Sequence, residues 1–400
     1  MNSGWGGQSL YKEEMFCMDR TFLNPAYQAP APNLLAEVCE KAATMENVID
    51  LSIGDPDLPT PAAITEAAFK AVAAGDTHYT AAMGKPALRQ TIADFYTTRF
   101  ARPTTADQVM VTVGTEHALF LALQAVIAPG DEAIILEPCF SPYFDQVKLA
   151  GGVAVDVPAD PARGFAFDLA AVEAAITAKT KVLIVNSPNN PTGYAMTAEE
   201  AEGLAKLAQE HDFLIFSDEI YADYLEPGVE FATPATYAPT HTVVFSGFSK
   251  NMAMTGWRIG YLTGPKWLVD AAGYVNDAVT FSAPTPSQDA ALYALAHYDE
   301  MKAPVVSEFQ ARLTYLNQAL AEVPWLKVTP AKGSIYLFPD ITATGLDSVA
   351  FADKLLEEAG ILVVPGVAFG PAGEGFVRIA ATQKQAVLEE AVARMKQLQW

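Results

Sequence analysis

A lysine that follows a β-branched run and sits among hydroxyls can do more than solvate a surface. Lys250 closes Ser246-Gly247-Phe248-Ser249-Lys250, directly after Val243–Phe245, and Arg258 stands eight residues on. An amine so placed can condense with a carbonyl carbon and later carry a proton. Asp218 lies in Ser217-Asp218-Glu219-Ile220-Tyr221, after the apolar run Phe213–Phe216. A carboxylate at such a buried position is costly unless paired. Helix capping would satisfy it, and so would a protonated ring nitrogen. After Val182–Val185 comes Asn186-Ser187-Pro188-Asn189-Asn190-Pro191-Thr192-Gly193, a stiff loop rich in amide donors. It is either a plain turn or a donor set for a ligand oxygen. Gly114-Thr115-Glu116 follows Val109–Val113 and opens a helical stretch, a place where backbone N–H groups can receive a phosphate. Phe140, between Pro138 and Pro142, and Tyr143 just beyond follow Ala133–Leu136, as loop packing or as a ring that stacks on a flat ligand.

These segments share one position, the carboxyl end of a short apolar run. The runs are continuously apolar, which marks strands buried on both faces of a parallel sheet. Helical patterns at 61–74, 85–100, 115–128, 168–178 and 197–211 alternate with them, so the chain reads as α/β with helices on both faces. Ligands in such sheets sit at the carboxyl ends of the strands. Residues 1–33 read as an irregular arm and 34–45 as a helix. Beyond about 295 the pattern changes. A long helix at 300–322 precedes short strands at Leu326–Thr329 and Ile335–Phe338. A helix at 347–359, strands at 361–364 and 376–380 and a last helix at 384–398 follow. The expected division is 1–50 as an arm and part of a small domain, 51–295 as a large domain and 296–400 as a smaller α+β domain.

Composition narrows the partners. Lys plus Arg is 25 against 47 Asp plus Glu, a net charge of −22, which repels nucleic acid and anionic membranes alike. Small molecules and further copies of the chain remain as expected partners. Three cysteines without a CxxC pair, and a start lacking a basic stretch before an apolar run, fit a reducing cytoplasm and no signal peptide. No run of roughly 18 apolar residues suggests a membrane span. The five histidines lack ligand spacing, so no metal site is expected.

A lysine for an imine, a carboxylate for a pyridinium nitrogen, a phosphate cup, a stacking ring and donors to a phenolic oxygen are the parts that pyridoxal 5′-phosphate requires. The segments LSIGDPD, HYTAAMGKPALR, NSPNNPTG, SDEIY, SGFSKNMAMTGWRIGY and PGVAFGPAGEGFVRIA, spread over residues 51–380, resemble the class I/II pyridoxal-phosphate aminotransferases of fold type I. The resemblance implies a large domain with a mostly parallel seven-stranded sheet between helices, and a homodimer with shared active sites. It implies that Lys250 binds the cofactor aldehyde and moves the proton. Asp218 would pair with the ring nitrogen, and Tyr221 and Asn190 would serve the phenolic oxygen. Phe140 would stack on the ring. Arg258, Ser249 and the Gly114–Thr115 backbone would hold the phosphate, joined by Tyr79 from the neighbouring subunit. Arg378 would fork onto the substrate α-carboxylate, with the Gly54 backbone close by.

The implied reaction, part of amino acid metabolism, moves the amino group of an L-amino acid to a 2-oxo acid. A lyase, decarboxylase or oxidase could use the same residues, and so could a regulatory protein that binds the cofactor without turnover. Two departures stand out. Glu116 occupies a position where some relatives carry Lys or Thr, and Gly247 replaces a serine of some relatives. Glu116 would either repel a second carboxylate on the donor and attract a cation, or merely complement the helix dipole. The segment 281–288 lacks an arginine, which disfavours aspartate recognition by that route. Neutral, aromatic and basic donors remain.

Overall fold

The computed structural model describes residues 40–400; the expected arm and the first half of the helix read at 34–45 lie outside them, and residues 40–42 are helical. The elements with described bounds start with β1 (Ile49–Asp50), α1 (Ala62–Ala73), α2 (Pro86–Arg99), β2 (Val109–Thr112) and α3 (Thr115–Val126). It continues through β3 (Glu132–Glu137), α4 (Pro142–Leu149), β4 (Val153–Pro158), α5 (Leu169–Ala175), β5 (Thr180–Asn186) and α6 (Ala198–His211). Then come β6 (Leu214–Asp218), β7 (Thr242–Gly247), β8 (Gly260–Thr263), α7 (Lys266–Val279) and α8 (Thr285–Ala296). The last part holds α9 (Tyr298–Ala319), β9 (Tyr336–Leu337), α10 (Ser348–Ala359), β10 (Ile361–Leu362), β11 (Val364–Pro365), β12 (Val377–Ala380) and α11 (Gln385–Met395).

Seven strands form one sheet in the order β2-β8-β7-β6-β5-β3-β4. The pairs β3–β4, β3–β5, β5–β6 and β6–β7 are parallel, and β8 runs antiparallel to both of its neighbours. Successive side chains alternate between faces. Ile135, Ile184, Phe216 and Phe245 pack under α3, α4 and α7. Ile134, Leu183 and Ile215 pack against α5 and α6, and Val109, Val111 and Val244 against α1, α2 and α8. Both faces are covered, which is why the interior strands read as unbroken apolar runs.

Two strands of this sheet were not legible as such runs. Strand β4 is an edge strand with Val153 half exposed, so its sequence VAVDVP alternates instead of running apolar. Strand β8 is four residues long and directly follows the Arg258 turn, without the helical spacer that marked the others.

The smaller unit packs α9, α10 and α11 around short strands, with Leu316, Phe351, Leu355, Ile379 and Leu388 in its core. The expected strand Leu326–Thr329 does not form. Only an isolated bridge from Lys327 to Asp340 exists there, in a segment bracketed by Pro324 and Pro330. The expected 361–364 strand is two strands with different partners: β10 pairs in parallel with β1, and β11 pairs antiparallel with β12. Thus Ile49 and Asp50 join the smaller unit. Among the described residues, no helix is long and apolar enough to cross a membrane.

Candidate active site

Strands β3, β5, β6 and β7 end on the same edge of the sheet, and their loops bound a cleft of about 370 Å³. That volume suits a small ligand. The cleft is lined by Gly54, Thr115, Phe140, Asn190, Asp218, Tyr221, Ser249, Lys250, Arg258 and Arg378. Ten of the twelve expected site residues therefore converge, although they span more than three hundred positions in sequence.

Asp218 is the last residue of β6 and is buried. Its Oδ2 accepts from the Tyr143 hydroxyl at 2.7 Å and its Oδ1 from the Ile220 amide at 3.2 Å. Burial pushes its carboxyl up to about 6, against the pull of those two bonds and of the Lys250 charge. Asn186, at the end of β5, binds the Asp218 carbonyl through Nδ2 at 2.9 Å and accepts the Asn190 amide at 2.7 Å. The asparagine loop is thereby locked to the neighbouring strand. Burial also raises the Tyr143 and Tyr221 hydroxyls well above the usual tyrosine range, so both keep their protons and can donate.

Lys250 donates from Nζ to the Gly54 carbonyl at 2.6 Å, and its own carbonyl accepts from the Tyr224 hydroxyl at 2.8 Å. Gly114 sits at the N-cap of α3 with φ 83°, in the left-handed region where glycine is at ease. A Cβ there would come within 2.8 Å of Arg258 Nη2, so the guanidinium closes that side of the turn. Arg258 itself has φ 49° and donates from Nη1 to the Thr255 carbonyl at 2.9 Å. The Thr115 hydroxyl is spent on the Ser246 carbonyl at 3.0 Å, which leaves its backbone to face a ligand. Gly247 has a steric reason as well: a Cβ there would lie 2.9 Å from Thr115 Oγ1 and 3.1 Å from Gly260 Cα.

Arg378 lies in β12 and is buried. It donates from Nη1 to Asn190 Oδ1 at 2.9 Å and from Nη2 to the Ser52 carbonyl. Its guanidinium lies over the rings of Tyr336 at 4.4 Å and Phe369 at 4.8 Å. Nε has no hydrogen-bond partner among the described residues. Phe140 lines the cleft with its ring edge-on to Tyr143, at 82°.

Tyr79 is placed elsewhere. It is 86% exposed, edge-on to Phe281, and outside the cleft of its own chain. Gly114 does not line the cleft directly but abuts Arg258. Two lining residues, Leu119 and Tyr336, lie outside every motif quoted above, and Ile53, Asp55, Ile220 and Thr255 lie within those motifs without an expected role. No motif signals Tyr336. Tyr143 lay inside the FSPY segment, where its ring was noticed but not its bond to Asp218.

A mostly parallel sheet with a lysine, a buried carboxylate and an arginine beyond its strand ends, faced by a second arginine from β12 of the smaller unit, is the arrangement of a class, the fold type I enzymes acting on amino acids. The comparisons sharpen it. The family model described as aminotransferase class I and II matches residues 46–395. The chain is similar to the aspartate/prephenate aminotransferase of Thermus thermophilus, 39% identical over 93% of this chain and 97% of the relative. It is also similar to an arginine–pyruvate transaminase of Pseudomonas aeruginosa, 36% identical over 88% and 89% of the two chains. The solved Thermus thermophilus aspartate aminotransferase with maleate superposes with a TM-score of 0.89, at 39% identity, covering 94% of this chain and 98% of that one. The chain belongs to the class I and II aminotransferases and is an enzyme of amino-group transfer.

Proposed function

We propose that this aminotransferase holds pyridoxal 5′-phosphate in the cleft and exchanges amino groups between an L-amino acid and a 2-oxo acid. The observation that carries this is the lining of one cleft by Lys250, Asp218, Arg258 and Arg378 together. The donor set fits the cofactor. A buried carboxylate whose proton affinity is raised calls for a cationic partner, which a protonated ring nitrogen is. The Arg258 guanidinium beside the N-terminus of α3 suits a phosphate. When bound, the cofactor supplies an electron sink for the bond broken at the substrate Cα.

The chain's own groups do the rest. Lys250 would hold the cofactor through Nζ and would move a proton at the substrate Cα, general acid–base work worth roughly 10²–10⁴ in rate. Asp218, oriented by Tyr143 and the Ile220 amide, keeps the ring nitrogen protonated. Asn190 spends Oδ1 on Arg378, which leaves Nδ2 as a donor to the phenolic oxygen beside the Tyr221 hydroxyl. Phe140 covers the ring. Arg258, Ser249 and the Gly114–Thr115 backbone hold the phosphate. Arg378 forks onto the α-carboxylate over the Gly54 backbone.

The working unit is inferred to be a homodimer. Tyr79 and Tyr274 are both more than four-fifths exposed, and Val279 and Phe281 are half exposed nearby. Asn276 ties their segments together by donating to the Ala82 and Phe281 carbonyls. Such a ridge suits a partner surface, and Tyr79 would then reach the phosphate held by the neighbouring protomer. A reducing cytoplasm suits the buried free thiol of Cys139. The relatives differ in donor charge, one named for aspartate and one for arginine. Glu116 in the cleft lining, and segment 281–288 without an arginine, favour donors with neutral, aromatic or cationic side chains.

The test is spectroscopic. The purified protein should be yellow, and one L-amino acid alone should bleach the visible band and release a 2-oxo acid without an acceptor. Borohydride should fix the cofactor to Lys250, and Lys250→Ala should lose both colour and turnover. Fixation at another lysine refutes the assignment. A decarboxylase or lyase would release carbon dioxide or a fragment with the band intact.

A further inference from the structure

We propose that Tyr336 is a positioning residue that serves both halves of the reaction at once. Its hydroxyl sets the donor strength of Tyr221, and its ring sets the plane of Arg378. The proposal rests on the reading above and deepens it.

The placement follows from register. Strand β9 pairs antiparallel with β12, with Tyr336 opposite Ala380 and Leu337 opposite Ile379. Residues two apart on a strand share a face, so Arg378 lies on the face of Ala380 and hence of Tyr336. Diagonal neighbours of this kind reach each other when the side chains are long. The Arg378 guanidinium indeed lies 4.4 Å from the Tyr336 ring centroid, within cation–π range. A flat ring beneath a guanidinium holds its fork in one plane, and a planar fork is what two-point binding of a carboxylate needs.

The far end of the same ring crosses to the large domain. Tyr336 Oη is 3.1 Å from Tyr221 Oη, and the two rings meet edge-on at 76°. Both hydroxyls are buried. Each has one proton to give and can accept as well. The phenolic oxygen of the cofactor, when ionised, is the stronger acceptor, so the Tyr221 proton goes there. Tyr336 then donates to Tyr221, and a donor that also accepts is polarised and donates more strongly. Gly54 records how tightly this hydroxyl is seated. A Cβ at residue 54 would come within 1.7 Å of Tyr336 Oη, so any side chain there displaces the tyrosine. The glycine that lets backbone near the substrate also makes room for Tyr336, and the Gly54 carbonyl receives Lys250.

The two duties separate by substitution. Tyr336→Phe keeps the ring and removes only an oxygen. In the holoenzyme, the pH midpoint of the visible band should rise by about half a unit, because a weaker Tyr221 donor stabilises the ionised phenolic oxygen less. The KM for donors should stay within about two-fold. Tyr336→Leu also removes the ring, and KM should then rise about ten-fold for every donor, the measure of a partly desolvated cation–π contact. In a Tyr221→Phe background, Tyr336→Phe should move the midpoint no further, since its route is gone. An unchanged or lowered midpoint in Tyr336→Phe overturns the proposal, and so does a shift that persists without the Tyr221 hydroxyl. In either case a wild-type protein that is yellow and fixed at Lys250 leaves the aminotransferase reading standing. A colourless wild type fails that reading instead.

Discussion

The two walls of the cleft are built on different plans. The large-domain wall is a row of strand ends. Asn186, Asp218 and Gly247 terminate three adjacent parallel strands, and main-chain ladders fix their spacing. The opposite wall has strands of two to four residues, tied to residues 50–53 by a few main-chain bonds, such as the Ala380 amide to the Leu51 carbonyl at 2.8 Å, and otherwise by side chains. Arg378 reaches the Ser52 carbonyl, Thr382 the Ile53 carbonyl at 2.7 Å, and Gln383 the Asp50 carbonyl at 3.0 Å. The buried Arg312 of α9 holds Asp57 through Nη1 at 2.7 Å and Nη2 at 3.3 Å. A wall made of ladders fixes where chemistry happens. In the proposed reading, the wall of short strands grips the substrate through Arg378.

The difference is testable as a split between kcat and KM. Asp218→Asn retains shape but not charge, so in the proposed reading the ring nitrogen would lose the anion that keeps its proton. A fall of roughly 10²–10⁴ in kcat is expected, with KM for the donor little changed. Arg378→Lys keeps charge but not the planar fork. Its KM should rise about ten- to a hundred-fold for all donors, with kcat at saturation mostly retained. Steady-state kinetics with each of several donors varied at saturating acceptor decides it. Equal losses in both parameters for both variants would erase the distinction between the walls.

The same contrast governs what the sequence discloses. Asp218, Lys250, Asn190 and Gly114 follow buried strands, and strand ends are visible as apolar runs closed by polar residues. Their neighbourhood follows from topology alone. Tyr336 is in GSIYLF, a stretch that reads as ordinary core, and its role exists only through the β9–β12 register. Asp55 and Thr255 meet by a hydrogen bond of 2.7 Å across 200 positions, with no local signature. Segment Leu326–Thr329 has strand composition but no partner strand, because β propensity measures fit to a sheet that other residues must provide. The arginine of the grip was legible only through resemblance, since one basic residue in a two-residue alternation carries no pattern.

A smaller effect compares two successive carboxylates at the end of strand β6, Asp218 and Glu219. Asp218 faces the cleft, where a cationic ring would meet it. Glu219, the next residue, is also buried: Ser217 Oγ donates to its Oε1 at 3.0 Å, Thr233 Oγ1 donates to the same oxygen, and the Arg102 charge favours its ionised form. Burial pushes the Glu219 carboxyl up to about 7. The folded chain therefore binds a proton there that the unfolded chain has released above about pH 4.3. The stabilisation from that proton is present at low pH and is lost as pH rises through 7. Glu219→Gln cannot ionise. Its melting temperature relative to wild type should climb by several degrees between pH 5 and pH 8. Scanning calorimetry of both holoproteins checks this, and an offset independent of pH would show that Glu219 does not titrate in the folded state.

The smallest expected effect belongs to Glu116, where the two walls compete for the donor side chain. It occupies the first turn of α3, where a negative charge complements the helix dipole by roughly 0.3–1 kcal/mol. It is also exposed and lines the cleft, and its charge is among those that push the Asp218 carboxyl up. The three cations of the lining, Lys250, Arg258 and Arg378, are each matched in the proposed reading to the imine carbon, the phosphate or the α-carboxylate. No lining cation of this chain then remains for a second donor carboxylate. A donor with a cationic side chain meets Glu116 on favourable terms, and an acidic one meets repulsion. Glu116→Gln should therefore raise kcat/KM for aspartate and glutamate by a few-fold while lowering it for arginine and lysine, so the ratio moves about ten-fold for a charge-assisted contact. It should also cost a little stability through the lost dipole interaction, and that loss is the same whichever donor is present. A panel of acidic, neutral, aromatic and basic donors at one pH separates the two contributions. If all donors shift by one common factor, Glu116 serves the helix and not the substrate.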